Sequence, residues 1–247
     1  MILKNASANT LSRLSNTFLQ IVFFLIVTFC VNNKIVAQQN ANTVLNNVYT
    51  KLQKAKDYSV DVLIKVDIPF IRMLPIEAKI YSKQKDKFKV VSKSIAIVPR
   101  QGFDQASKML ADTNSITTII QGKEALGAFQ TTIINIIPVS DTSDLILGKL
   151  WIDIKDNVIL KSLLTTKSNG TILTEYTYAS QKDFGLPDKM IFTVDIKKFK
   201  IPKSVAADIN NTAKEKEKSK EKKKGQIFIT LSNYQVNKGI SDTMFKK

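Results

Sequence analysis

Residues 58–68 read YSVDVLIKVDI. Val60, Val62, Ile64, Val66 and Ile68 recur at every second position, with Ser59, Asp61, Lys65 and Asp67 between them. Successive side chains of an extended chain point to opposite sides, so a period of two gives one apolar face and one wet face. The stretch reads as a half-buried strand.

The same rhythm runs outward from it. Strands are expected at 76–83, 87–93, 95–99, 115–121, 129–137, 149–154, 158–165, 171–180, 188–197 and 226–233, about eleven with the first. The links are short and polar: QKD at 84–86, DN at 156–157, SNG at 168–170 and GLPD at 185–188. Links of that length suit antiparallel hairpins, not helical crossovers. Ahead of the first strand, residues 42–56 (NTVLNNVYTKLQKAK) place Val44, Leu45, Val48 and Leu52 at helical spacing. Lys51, Lys54 and Lys56 fall toward the end of that helix, where cations suit its dipole. A second helix is expected near 103–111 (FDQASKMLA). The fold class is mainly β with two or three short helices.

Upstream of the helix lies a different kind of segment. Lys4 and Arg13 precede an apolar run at 18–31 (FLQIVFFLIVTFCV), and Ile35-Val36-Ala37 follows. This is the order of a secretory signal peptide, too short in its apolar part for an ordinary membrane span. Cleavage is expected after Ala37 or Gln38, with an uncleaved N-terminal anchor as the alternative. The expected parts are a signal peptide at 1–37 and one folded domain at 38–247. The residue before Cys30 is Phe29, not the small residue a lipoprotein signal needs, so Cys30 reads as part of the apolar run. A cleaved chain has no cysteine and depends on an ordinary core, not on disulfides.

The chain has 247 residues, 44% of them hydrophobic, and a formal charge of +16. The leader carries Lys4, Arg13 and Lys34 and no acid, so +13 remains after cleavage. An exported chain argues against nucleic acid as the partner. An anionic membrane surface attracts such lysines, and solubility alone also accounts for them. Residues 204–225 end in a run of Lys and Glu, KEKEKSKEKKK at 214–224, which has nothing to bury. It reads as a flexible insertion before the last strand.

The composition removes most enzymes. There is no histidine, so neither a Ser-His-Asp triad nor a His-ligated metal can form. The glycines form no phosphate-binding loop. Asp153 and Asp156 are the nearest carboxylate pair, and a solvated hairpin turn explains both. The expectation is a protein without catalysis, cofactor or metal.

Three stretches carry a resemblance. Leu150-Trp151-Ile152-Asp153 followed by Val158-Ile159-Leu160-Lys161, Tyr178 to Pro187 (YASQKDFGLP), and Asn233 to Phe245 (NYQVNKGISDTMF) resemble the LolA/LolB-like superfamily of periplasmic lipoprotein carriers, in its Bacteroidota-type form. The resemblance implies an unclosed antiparallel β-barrel lidded by helices, around an apolar cavity for the acyl chains of lipoproteins or lipids. No cofactor is implied. Transfer toward the outer membrane is the implied activity; the alternative is an envelope interaction or regulatory protein that binds a protein partner with the same fold. Alternation then nominates Val62, Ile64, Val66, Ile133, Leu150, Ile152, Phe192, Val194 and Ile229 as cavity lining, against the alternative of plain sheet core. The apolar loop Phe70, Ile71, Met73 and Leu74, bracketed by Pro69 and Pro75, is the candidate membrane or gating loop. The alternative there is a strand that continues into the core.

Overall fold

The computed structural model describes residues 40–69, 73–84, 87–92, 110, 113–168, 170–195 and 224–246. They belong to one compact unit, Asn40–Lys247. The expected signal peptide, Phe70 and Ile71 of the loop, the strand at 95–99, nearly all of the helix at 103–111 and residues 204–223 of the insertion lie outside the described residues.

Helix α1 (Ala41–Leu52) starts at Asn40, whose side chain accepts a hydrogen bond from the Asn42 N–H at 2.9 Å. That satisfies one of the amides a helix start leaves open. Ala41, Val44, Leu45 and Val48 form its buried stripe. The helix ends at Leu52, short of the expected Lys56. The cause is Asn237, which accepts from the Lys56 N–H at 2.7 Å and donates to the Lys54 carbonyl at 2.9 Å. Those backbone groups are held in the turn into the first strand and cannot extend the helix.

The strands are β1 (Asp57–Asp67), β2 (Ile76–Lys83), β3 (Lys87–Ser92), β4 (Ile116–Leu126), β5 (Phe129–Pro138), β6 (Leu145–Asp153), β7 (Val158–Thr166), β8 (Gly170–Thr177), β9 (Lys189–Asp195) and β10 (Lys224–Val236). They form one ten-stranded sheet in the order β3-β2-β1-β10-β9-β8-β7-β6-β5-β4. All neighbours are antiparallel. The edges β3 and β4 do not pair, so the barrel is unclosed, and α1 packs on one face. The expected count was about eleven; the described sheet has ten, and the remaining expectation is the stretch at 95–99.

The order has one long step. Strands β1 to β3 and β4 to β10 are two meanders of consecutive hairpins, joined where β10 pairs with β1. Asn157 turns the β6–β7 hairpin at φ 51, a left-handed conformation that Asn tolerates better than most residues. Strand β6 begins at Leu145, before the expected 149. Gly148 sits within it, where an added Cβ would lie 3.3 Å from the Leu164 side chain, so glycine lets β6 and β7 approach.

Candidate functional site

Residues opposite one another in a ladder share a face, so register alone maps the face that α1 covers. One row crosses seven strands as Ile134, Leu150, Ser162, Thr174, Phe192, Ile227 and Val66. A parallel row runs Tyr176, Met190, Ile229, Ile64 and Ile76. A third runs Ile136, Gly148, Leu164, Ile172, Val194 and Gly225. Among the described residues, the only charged side chain at a register position of this inner face is Lys123, exposed near the β4–β5 turn.

The face carries two apolar clusters. One is roofed by the helix: Val44, Leu45 and Val48 pack with Ile134, Ile136, Leu150, Ile152 and Ile159, joined by Leu110. The other comes from β1, β2, β9 and β10, with Val60, Val62, Ile64, Ile80, Met190, Phe192, Ile227 and Ile229 at its centre, and includes no residue of α1. Ile68 folds over Gly225 here, and a Cβ at that glycine would meet the Ile68 side chain at 2.6 Å. Tyr176 packs against both clusters.

Between the clusters lies a short polar seam. Ser162 and Thr174 face each other across β7 and β8 and are 2% and 3% exposed. The Tyr176 hydroxyl lies 3.1 Å from Ser162 Oγ, and Thr174 stands two residues before Tyr176 on the same face of β8. Burial pushes the Tyr176 phenol above its usual range, so the seam stays uncharged at physiological pH. Nothing in the sequence reading singled out these hydroxyls. The signal was a polar residue at the apolar phase of two adjacent strands.

Eight of the nine nominated residues lie on this face. Val62, Ile64, Phe192 and Ile229 are in the strand-only cluster, with Val66 packed at its margin. Val194 is buried opposite Gly225 and Ile172. Leu150 and Ile152 lie under α1. Ile133 is a correction: it pairs with Trp151 and stands on the opposite face. Trp151 donates from its indole N–H to Glu124 Oε2 at 2.8 Å, with the ammonium groups of Lys149 and Lys161 each 4.8 Å from its ring. Of the candidate loop, Met73 packs against the strand-only cluster, whereas Leu74 is 87% exposed.

The carboxylate pair is not poised for catalysis. Asp153 is buried on the Trp151 face, not solvated as expected, and accepts from the Lys155 N–H at 2.9 Å. Asp156 is ion-paired with Lys182, whose hydrogen bond holds its carboxyl below the usual range. Among the described residues there is no group of three or more His, Cys, Asp or Glu able to hold a metal. No helix among them is long and apolar enough to cross a membrane.

The stretches that carried the resemblance are mostly scaffolding. Buried Asp57 accepts from the N–H groups of Lys238 and Gly239 at 3.0 and 3.1 Å. Tyr234 donates to the Pro187 carbonyl at 2.7 Å, joining the third stretch to the end of the second. Asp242 pairs with Lys83 and Lys87, each at 2.7 Å, and their hydrogen bonds hold its carboxyl down to about 2.

No protein-family model matches the chain, and no curated protein matches it in sequence. Solved structures do. A LolA superfamily protein from Nitrosomonas europaea superposes with a TM-score of 0.54 at 11% identity, over 85% of this chain and 98% of that one. A domain described as an outer membrane lipoprotein-sorting protein, from Vibrio parahaemolyticus, gives 0.53 at 10% identity, over 83% and 97%. A DUF1329 family protein from Desulfovibrio piger gives 0.50 at 10%, over 84% and 98%. An open antiparallel sheet with a helix packed on its apolar face, matched along nearly the whole length of these proteins, is a LolA-like fold.

Proposed function

We propose that the protein is a non-enzymatic periplasmic carrier that holds the acyl chains of lipoproteins or lipids against its inner face and hands them toward the outer membrane. The observation that carries this reading is the inner face itself. It is mostly apolar across ten strands of an unclosed sheet, and among the described residues the only charged one at its register positions sits exposed at one edge. Each methylene moved from water to such a surface contributes about 0.8 kcal/mol, so an acyl chain needs no other attraction to bind. The LolA-like fold supports the same reading. The exposed Leu74 and the formal charge of +13 that remains after cleavage, 16 − 3, favour an anionic membrane surface as the place of exchange.

Native mass spectrometry with lipid extraction tests it, on protein purified from an envelope fraction without detergent. Acyl-chain adducts released by organic solvent are the expected result. A clean apo mass, together with failure to bind a fluorescent fatty-acid probe, overturns the carrier reading in favour of a protein-binding role.

A further inference from the structure

The polar seam is out of place in a face built to be apolar. Three hydroxyls meet there, from Ser162, Thr174 and Tyr176, midway between the two apolar clusters. Each carries one proton to donate and accepts through its lone pairs. The hydrogen bond between Tyr176 and Ser162 consumes one of the three protons, which leaves a spare proton to give. An ammonium or guanidinium group beside them would make this an anion site. Among the described residues, the one cation at a register position of the face, Lys123, lies on β4, three strands away from β7. At normal strand spacing that is roughly 14 Å.

We infer that Ser162, Thr174 and Tyr176 form a recognition site for the neutral carbonyl of an acyl ester or amide, seating it where the two apolar clusters meet and discriminating against a free carboxylate. The inference rests on the carrier reading and narrows its cargo. A carbonyl oxygen accepts the spare proton without bringing charge into the face. A carboxylate at the same point is buried with no cation of the described residues beside it, which costs far more than one hydrogen bond returns. The acyl chain leaves the seam toward the strand-only cluster, to which no residue of α1 belongs.

The experiment is calorimetric titration of delipidated protein with methyl dodecanoate and with dodecanoate, at pH 8 and in high salt, so that the net positive charge does not favour the anion. The ester is expected to bind at least roughly tenfold more tightly. Dodecanoate binding is expected to strengthen as pH falls and its acid becomes neutral. Tyr176→Phe and Ser162→Ala, each removing one oxygen, are expected to weaken ester binding roughly three- to tenfold and to leave dodecanoate nearly unchanged. A thermal melt of each variant separates this loss from misfolding, and an unfolded Tyr176→Phe leaves Ser162→Ala to decide. Equal affinity for ester and carboxylate at pH 8, or folded variants that keep wild-type ester affinity, overturns the carbonyl site while the carrier reading stands. Binding of neither ligand to the wild-type protein overturns both.

Discussion

The two halves of the inner face are built from the same kind of strand but closed differently. On β4 to β7, α1 lies across the sheet and Leu45 sits fully buried against it. On β1, β2, β9 and β10 the apolar cluster is as deeply buried, yet no residue of α1 belongs to it. A sheet face that brings its own helix is core. On the proposed carrier reading the other half is the place for an acyl chain, and Tyr176 marks the border.

Four experiments sharpen or break this contrast. The largest effect is expected from matched truncations. Leu45→Ala should cost about 2–5 kcal/mol by urea unfolding, whether or not acyl ligand is present. Ile229→Ala, equally buried, should cost a similar amount in lipid-free protein and clearly less with ligand bound, because a flexible chain can fill the gap. Identical losses under both conditions would mean that the halves do not differ.

Next is Gly225→Val, at the margin of the strand-only half. A Cβ there meets Ile68 at 2.6 Å, so the substitution should destabilise by about 1–3 kcal/mol in the same assay. Unchanged stability would show that Ile68 swings aside freely. On the other side of the comparison, Asn237 ties the end of α1 to the C-terminal tail. Asn237→Gly keeps the left-handed backbone, observed at φ 57, and removes both side-chain bonds. A loss of about 1–2 kcal/mol in thermal melts is expected, and no loss would show that the helix stands without its tether.

The smallest effect concerns pH. The folded carboxyl of Asp242 lies near 2, below its ordinary 3.8, because Lys83 and Lys87 hydrogen-bond it. A carboxylate depressed on folding stabilises above its unfolded pKa and loses that contribution as pH falls through its folded value. The tail should therefore stay docked on the β2–β3 hairpin at pH 5 and loosen between about pH 4 and 2. Amide exchange at residues 240–246 reads this directly. Uniform protection down to pH 2 would assign the docking to Lys89, which donates to the Met244 carbonyl at 2.7 Å, and not to the ion pairs.

Much of this was legible in the chain. The period of two in residues 58–68 names the inner face of β1, and the expected bounds of β2 match the observed ones. Eight of the nominated residues stand on the face that α1 covers, for the same reason. Ile133 did not, because the run IINII at 133–137 puts isoleucine on both sides of β5 and alternation cannot choose between them. The choice comes from Trp151 in the neighbouring strand, which no local pattern reveals. Asp153 looked solvated because it is charged, yet it is buried beside a tryptophan on the outer face. The seam was missed because Ser162 and Thr174 are ordinary residues, and only register sets them side by side.

The last strand made is the one at the middle. Strand β10 lies between β9 and β1, so it alone joins the N-terminal meander to the rest of the sheet. A growing chain can form the hairpins β1 to β3 early, but their inner face finds no lateral partner until residues 224–236 arrive. Contacts of such long sequence separation fold slowly. The sheet therefore remains incomplete until residues 224–236 have been synthesised, and loss of that stretch would cost the keystone instead of an edge.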